Sequence, residues 1–308
     1  MEVRGAQEIL ATLDSEGALE GLPFMPEMLK FCGRRFRVRS QAHKTCDTIE
    51  WSGLRGMKRT VHLGLMRCDG GAHGGCQAGC LLFWKEAWLR RVDESQEASA
   101  PAADNTAALS LDPSIESWLL VRTRHQIDAQ RFRCQATELR NATRPLSTFD
   151  CAQYLCDVRQ NGATWLEVLR AVFIASYNRL LRAALRPTFP RSVGRLTRTP
   201  RLDLGLQPGE LVEVKSHQEI LATLDARGHN RGLSFDAEMV PYCGGRFRVL
   251  RRVERLVDEK TGELRLLPGV CIILDEVVCR GHYHRLCPRA IYPYWREIWL
   301  RRVSPPIE

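Results

Sequence analysis

The sequence predicts an α+β protein in which two duplicated small domains of SH3-like, barrel type flank a mainly helical middle segment. Three observations predict it. QEILATLD occurs at 7–14 and again at 218–225, FCGRRFRV at 31–38 returns as YCGGRFRV at 242–249, and FWKEAWLRRV at 83–92 returns as YWREIWLRRV at 294–303. All three pairs share one offset of 211 residues without a gap, which reads as one domain present twice and not as a solenoid. The expected organisation is repeat 1 over 1–92, a flexible linker over 93–113, a middle segment with a basic linker over 114–207, and repeat 2 over 208–308.

Each element has a local reason. EILATLD spaces Ile9, Leu10 and Leu13 as an amphipathic helical turn. EVKS, FRVLRR and REIWLRRV alternate as short strands do. PGELVEVKS opens the second copy as a turn and strand; at the offset Glu213 falls on Glu2, so the first copy lacks most of that strand. DESQEASAPAADNTAALSLDP has the composition of a linker. In the middle segment WLLVRTRHQI reads as a strand and FDCAQYLCDVRQNG as a short helix ending at Asn-Gly. TWLEVLRAVFIASYNRLLRAALRP reads as a long amphipathic helix, opened by a Thr164/Glu167 capping box and stopped before Pro187. PRSVGRLTRTPR then reads as a solvated basic linker.

Composition narrows the class. The 308 residues suffice for two or three cores, and 44% hydrophobic with 26% charged residues is ordinary for a soluble domain. No apolar run reaches the roughly eighteen residues of a membrane span, and MEVRGAQEILATLD has no secretory pattern. A cytoplasmic location and no membrane partner are the expectation. Twelve cysteines in a reducing compartment favour metal ligation over disulfides. The net charge of +9 is spread along an arginine-rich chain, so nucleic acid is a possible but not a favoured partner.

The offset separates candidate ligands from bystanders. Cys68, His73 and Cys76 map onto Cys279, His284 and Cys287, so both copies carry Cys-x4-His-x2-Cys. A structural zinc site takes four ligands. Cys80 completes a Cys3His set in the first copy; it maps to Ile291, so Cys271 is the expected replacement in the second, with His282 the other choice. Glycines at 70, 71, 74, 75 and 79 let the first loop wrap an ion. Zn2+ at two sites is the expectation, because thiolate and imidazole suit it without redox chemistry. An iron–sulfur cluster is the alternative, since three thiolates and a weaker ligand also suit that. Cys32 and Cys243 read as buried turn cysteines.

Candidate catalytic residues are fewer. Cys134 lies among Arg131, Arg133 and Glu138, and arginines beside a thiol lower its pKa. Glu86 is read on the same strand face as Trp84 and Trp88, which makes it a partner for the His73 ring or a general base. His43 and Cys46 form a possible dyad that the second copy lacks. Cys151 and Cys156 diverge by about 140° on a helix, so they do not share an ion. No phosphate-binding loop, dinucleotide fingerprint or nucleophile elbow occurs.

HGGCQAGC followed by FWKEAWL resembles an uncharacterised family of predicted bacterial proteins. The resemblance spans both copies and the middle segment, and it implies neither an activity nor a fold. The expected function is a metal-dependent enzyme or enzyme component in a bacterial biosynthetic pathway, acting on a small-molecule or peptide substrate. The alternatives are redox or sulfur chemistry on a cluster, and a zinc-stabilised nucleic-acid-binding or adaptor module without catalysis.

Overall fold

The computed structural model describes residues 1–92, 117 and 126–303. The expected linker over 93–113 and most of the expected WLLVRTRHQI strand lie outside them. The chain is mixed α/β, with many short strands and few helices. It divides into two compact units: Met1–Gly162 with Val257–Arg265, and Ala163–Leu256 with Leu266–Glu308.

In the first unit β1 (Glu2–Val3) leads into α1 (Ala6–Leu10), then β2 (Ala18–Leu19) and β3 (Leu22–Pro23). A buried 3-10 turn, Pro26–Phe31, precedes β4 (Val38–Gln41), β5 (Lys44–Cys46), β6 (Leu54–Gly56) and β7 (Thr60–Leu63). After the Cys/His loop come β8 (Trp84–Lys85), a 3-10 turn at Glu86–Trp88, and β9 (Leu89–Arg90). β10 (Arg144–Pro145) and α2 (Cys151–Gln160) close the unit. The strands pair as β1-β9, β2-β3, β4-β7-β8 and β10-β6-β5. Phe24 meets Trp84 and Trp88 edge-on at 6.3 and 5.2 Å in the core, and the Trp88 indole N–H donates to Thr12 Oγ1 at 3.1 Å.

The second unit opens with α3 (Trp165–Ala183), followed by β11 (Leu211–Val214) and α4 (His217–Leu221). β12 (His229–Asn230) and β13 (Leu233–Ser234) form a hairpin before the 3-10 turn Ala237–Tyr242. β14 (Arg246–Val257), β15 (Leu264–Leu274) and β16 (Leu300–Arg302) join β11 in the order β15-β14-β11-β16. Its core repeats the contacts of the first. Phe235 lies 6.2 and 5.4 Å from Trp295 and Trp299, and Trp299 donates to Thr223 at 2.9 Å. Each partner is 211 positions beyond its counterpart.

Two expectations change. The middle segment is not mainly helical: among the described residues of 126–207 the helices are α2 and α3, and 126–150 is turns, bridges and β10. The middle does not stand as a body of its own, because the two units divide it after Gly162. The short strands form small sheets whose edges are joined by further antiparallel bridges, Glu2 with Arg35 in the first unit and Ile272 with Trp295 in the second.

The capping box of α3 forms as read: Thr164 Oγ1 accepts from the Glu167 N–H at 3.2 Å, and Glu167 accepts from the Thr164 N–H at 2.8 Å. Its orientation was not legible. The buried side chains are Val168, Ala171, Ile174 and Asn178, so the larger apolar stripe is exposed. No helix of the described residues is long and apolar enough to cross a membrane.

Candidate metal centres

The Cys/His loop of the first unit is closed at its base. Arg67 bridges Leu81, the Cys68 N–H donates to the Cys80 carbonyl at 2.9 Å, and the Leu82 N–H donates to Met66 at 3.0 Å. Inside the loop the Gly70 carbonyl accepts from His73 and Gly75, each at 3.0 Å, and the Cys76 N–H donates to His73 at 3.1 Å. Gly70 holds φ +76°, and a Cβ there would run into the carbonyl of Cys76. The loop of the second unit repeats this turn. Cys279 N–H donates to Ile291 at 2.8 Å, His284 to Gly281 at 3.0 Å, and Cys287 to His284 at 3.3 Å. Where the first loop has Gly74 and Gly75, the second has Arg285 and Leu286, which still hold positive φ at 51° and 60°.

Each loop meets a carboxylate that the ligand spacing alone did not nominate. Glu27, on the 3-10 turn Pro26–Phe31, places Oε1 2.6 Å from His73 Nδ1, accepts from the Ala72 N–H at 3.1 Å, and lies 3.7 Å from Cys68 Sγ. Glu238, at the same place on the 3-10 turn Ala237–Tyr242, accepts from Tyr283 at 2.5 Å and from Arg280 at 3.2 Å. The donor atoms of Glu27, Cys68 and His73 all lie within 4.8 Å of one another, and so do those of Glu238, Cys279 and His284. A signal for both is present in the sequence: Glu27 and Glu238 also match at 211, inside PEM and AEM just upstream of the Cys-Gly pairs.

The first group is chemically suited to a cation. His73 Nε2 faces the Arg133 carbonyl at 3.2 Å, so that nitrogen carries a proton. Nδ1 faces a carboxylate, which also only accepts, so a proton or a cation belongs between them. Glu27 Oε2 is buried without a hydrogen-bond partner. The 3.7 Å between thiol and carboxylate is about the spacing of two ligands on one tetrahedral ion; the 2.6 Å His–Glu contact is a hydrogen bond that an ion would replace. Burial works against the Glu27 charge, but the His73 hydrogen bond and charge and the Ala72 N–H outweigh it and hold its pKa below the usual carboxylate value. Burial pushes the Cys68 thiol far up, and nearby Glu27, Cys80 and Cys134 push the same way; a bound cation reverses that logic.

The second group is more open. The His284 side chain is 35% exposed where that of His73 is 2%. His284 Nδ1 lies 3.8 Å from Cys279 Sγ, and Nε2 lies 3.8 Å from Asp236, which stands where the first copy has Met25. Burial again raises the Cys279 thiol well above its ordinary value, with Glu238 and Cys287 adding to it.

Of the remaining expected ligands, Cys80 and Cys287 stay near the groups and the others leave them. Cys80 lies close enough to Cys68 for its charge to act there, as does Cys134. Cys76 Sγ accepts from the Val257 N–H at 3.3 Å and is outside the three-atom group. Cys287 is buried beside Cys279 without joining the group. Cys271 is not the relocated ligand: it points into a separate cluster with Val253 and Ile273, where its thiol faces the Gly269 carbonyl at 3.8 Å. His282 stays outside the group as well.

The catalytic candidates also move. Glu86 does not share the tryptophan face, because Glu86–Trp88 is a 3-10 turn and alternation fails; Glu86 is exposed and accepts from Gln41 at 3.4 Å. Its expected role beside His73 falls to Glu27. Cys134 is not an activated thiol. Burial pushes it up to about 12, and Arg133 is engaged by Glu138 and Glu16, each at 3.3 Å. His43 turns to α2, with Nε2 3.1 Å from the Gln153 carbonyl and 3.3 Å from Asp157, while Cys46 sits on β5 opposite Leu54. Cys32 is buried at the end of its turn, as expected, with its thiol pushed by burial to about 12.

Comparison of the chain with protein-family models, with curated proteins and with solved structures finds no match.

Proposed function

We propose that the chain is a metal-binding protein that holds two cations of the zinc class, one on Glu27, Cys68 and His73 and one on Glu238, Cys279 and His284. One observation carries this reading. The same three residue types, at one common offset, come within 4.8 Å in both units, although each Glu is more than forty positions from its His. Mixed carboxylate, thiolate and imidazole donors suit Zn2+. In this reading the two loops descend from one duplicated domain.

The two sites differ in role. The first is buried and has Cys80 and Cys134 nearby to complete four ligands, the pattern of a structural site. The second has Cys287 beside Cys279, but its histidine side chain is 35% exposed, the pattern of a site open to water or substrate. An activity of this protein therefore belongs to the second site, and folding to the first.

Elemental analysis and an absorption spectrum of the full chain, purified without oxygen, test the reading. The expected result is two zinc and no visible colour. Cys68→Ser removes one equivalent and Cys279→Ser the other. Added cyanide perturbs the spectrum of the cobalt-substituted second site and leaves the first unchanged. A protein without metal overturns the proposal, and iron with labile sulfide replaces zinc by a cluster held among the thiols of the first loop.

A further inference from the structure

The stripe that α3 turns outward has a heptad spacing. Leu166, Phe173 and Leu180 recur every seven residues, with Leu169, Ser176 and Ala183 between them as the second seam position. All six are exposed, while Val168, Ala171, Ile174 and Asn178 are buried on the opposite face, where Asn178 donates to the Phe189 carbonyl and accepts from its N–H. Leu166 is 76% exposed, Phe173 70% and Leu180 69%. Together with Trp165, Leu169 and Tyr177 these side chains present on the order of 800 Å² of surface, about what one partner contributes to a standard stable interface. A folded chain does not ordinarily leave so large a continuous apolar patch to water.

We propose that this face is covered by a second copy of the same chain, with the two α3 helices packed antiparallel about a two-fold axis. The side-chain sizes support this occupant. An axis passing between Ile174 and Ala175 sets Leu166 against the partner's Ala183, Leu169 against the partner's Leu180, and Phe173 against the partner's Ser176. Each large residue of the outer and central layers meets a small one, as a self-complementary interface requires. Parallel packing instead sets Phe173 on the partner's Phe173 and Ser176 on the partner's Ser176, alternating crowded and hollow layers. The flanks agree with the antiparallel choice. Arg170 comes beside the partner's Tyr177, so an arginine meets an aromatic ring and not another arginine.

The test is light scattering on the purified, metal-replete full chain at micromolar concentration. The wild type is expected at twice its 35.1 kDa. Leu169→Glu and Leu180→Lys each halve that mass and leave the circular dichroism unchanged, because both positions are exposed. The double variant Leu169→Glu/Leu180→Lys returns to the dimer, since antiparallel packing puts each glutamate against a partner lysine. A monomeric wild type overturns the proposal, as does a single variant that stays dimeric or a double variant as monomeric as the singles. A monomer that floats with phosphatidylserine vesicles assigns the face to a membrane surface instead and equally overturns it.

Discussion

Lys44 and Asp157 form a buried ion pair at 2.5 Å in the first unit, with the two side chains 0% and 1% exposed. A pair so enclosed is held because losing either member leaves a charge in low dielectric. His43 shares the same carboxylate. Burial resists its charged form, yet the hydrogen bonds to Asp157 and Cys156 and their charges carry its pKa from 6.5 up to about 9. A pKa raised on folding contributes stability that is fully present below about 6.5 and is lost as pH climbs through about 9, at most about 3 kcal/mol. The urea midpoint of the wild type should therefore fall across that window, and the midpoint of His43→Gln should stay nearly flat. Parallel curves would show that the imidazolium is not held in the folded state.

At the scale of elements, the two loops depend on a left-handed glycine each. Gly70 at φ +76° and Gly281 at φ +74° carry the turn that presents His73 and His284, and a Cβ at either meets the loop's own backbone. Gly70→Ala is expected to cost at least about 2 kcal/mol locally and to abolish metal binding at the first site alone. Gly281→Ala does the same at the second. Gly64→Ala is the control: its φ is also positive, at +45°, but its Cβ meets nothing within 4 Å, so both metals stay. Equal metal loss in all three variants would mean that general instability, not the loop, is being read.

The whole molecule divides into two cores, but the chain does not divide at one point. Residues 257–265, the turn between β14 and β15, belong to the first unit. There the Val257 N–H reaches Cys76 Sγ, the Gly262 carbonyl accepts from Phe132 at 2.8 Å, and Lys260 pairs with Glu50 at 3.2 Å. The first loop is thus fastened by a segment about 180 positions away. Replacing 258–262 by a two-residue turn should weaken cobalt binding at the first site about tenfold and leave the second unchanged, as titration of each site's absorption would report. A fragment ending at Gly162 that binds as tightly as the full chain would contradict this.

What the sequence determined by itself is local or repeated. The capping box of α3, the turn glycines of the loops and the shared Cys-x4-His-x2-Cys are written in a few neighbouring residues, and so they were legible. A residue's partner at long range is not. Glu27 reaches His73 because the core of Phe24, Trp84 and Trp88 brings a 3-10 turn against the loop, and its only trace in the sequence is the match with Glu238 at the common offset. Cys271 was misplaced for the same reason: its chemistry suits a metal, but strand β15 aims it into a separate apolar cluster. The periodicity of α3 established an amphipathic helix and could not say which face is buried. Tertiary packing decided that: the narrow face of Val168, Ala171 and Ile174 is buried, and the leucine and phenylalanine seam is exposed.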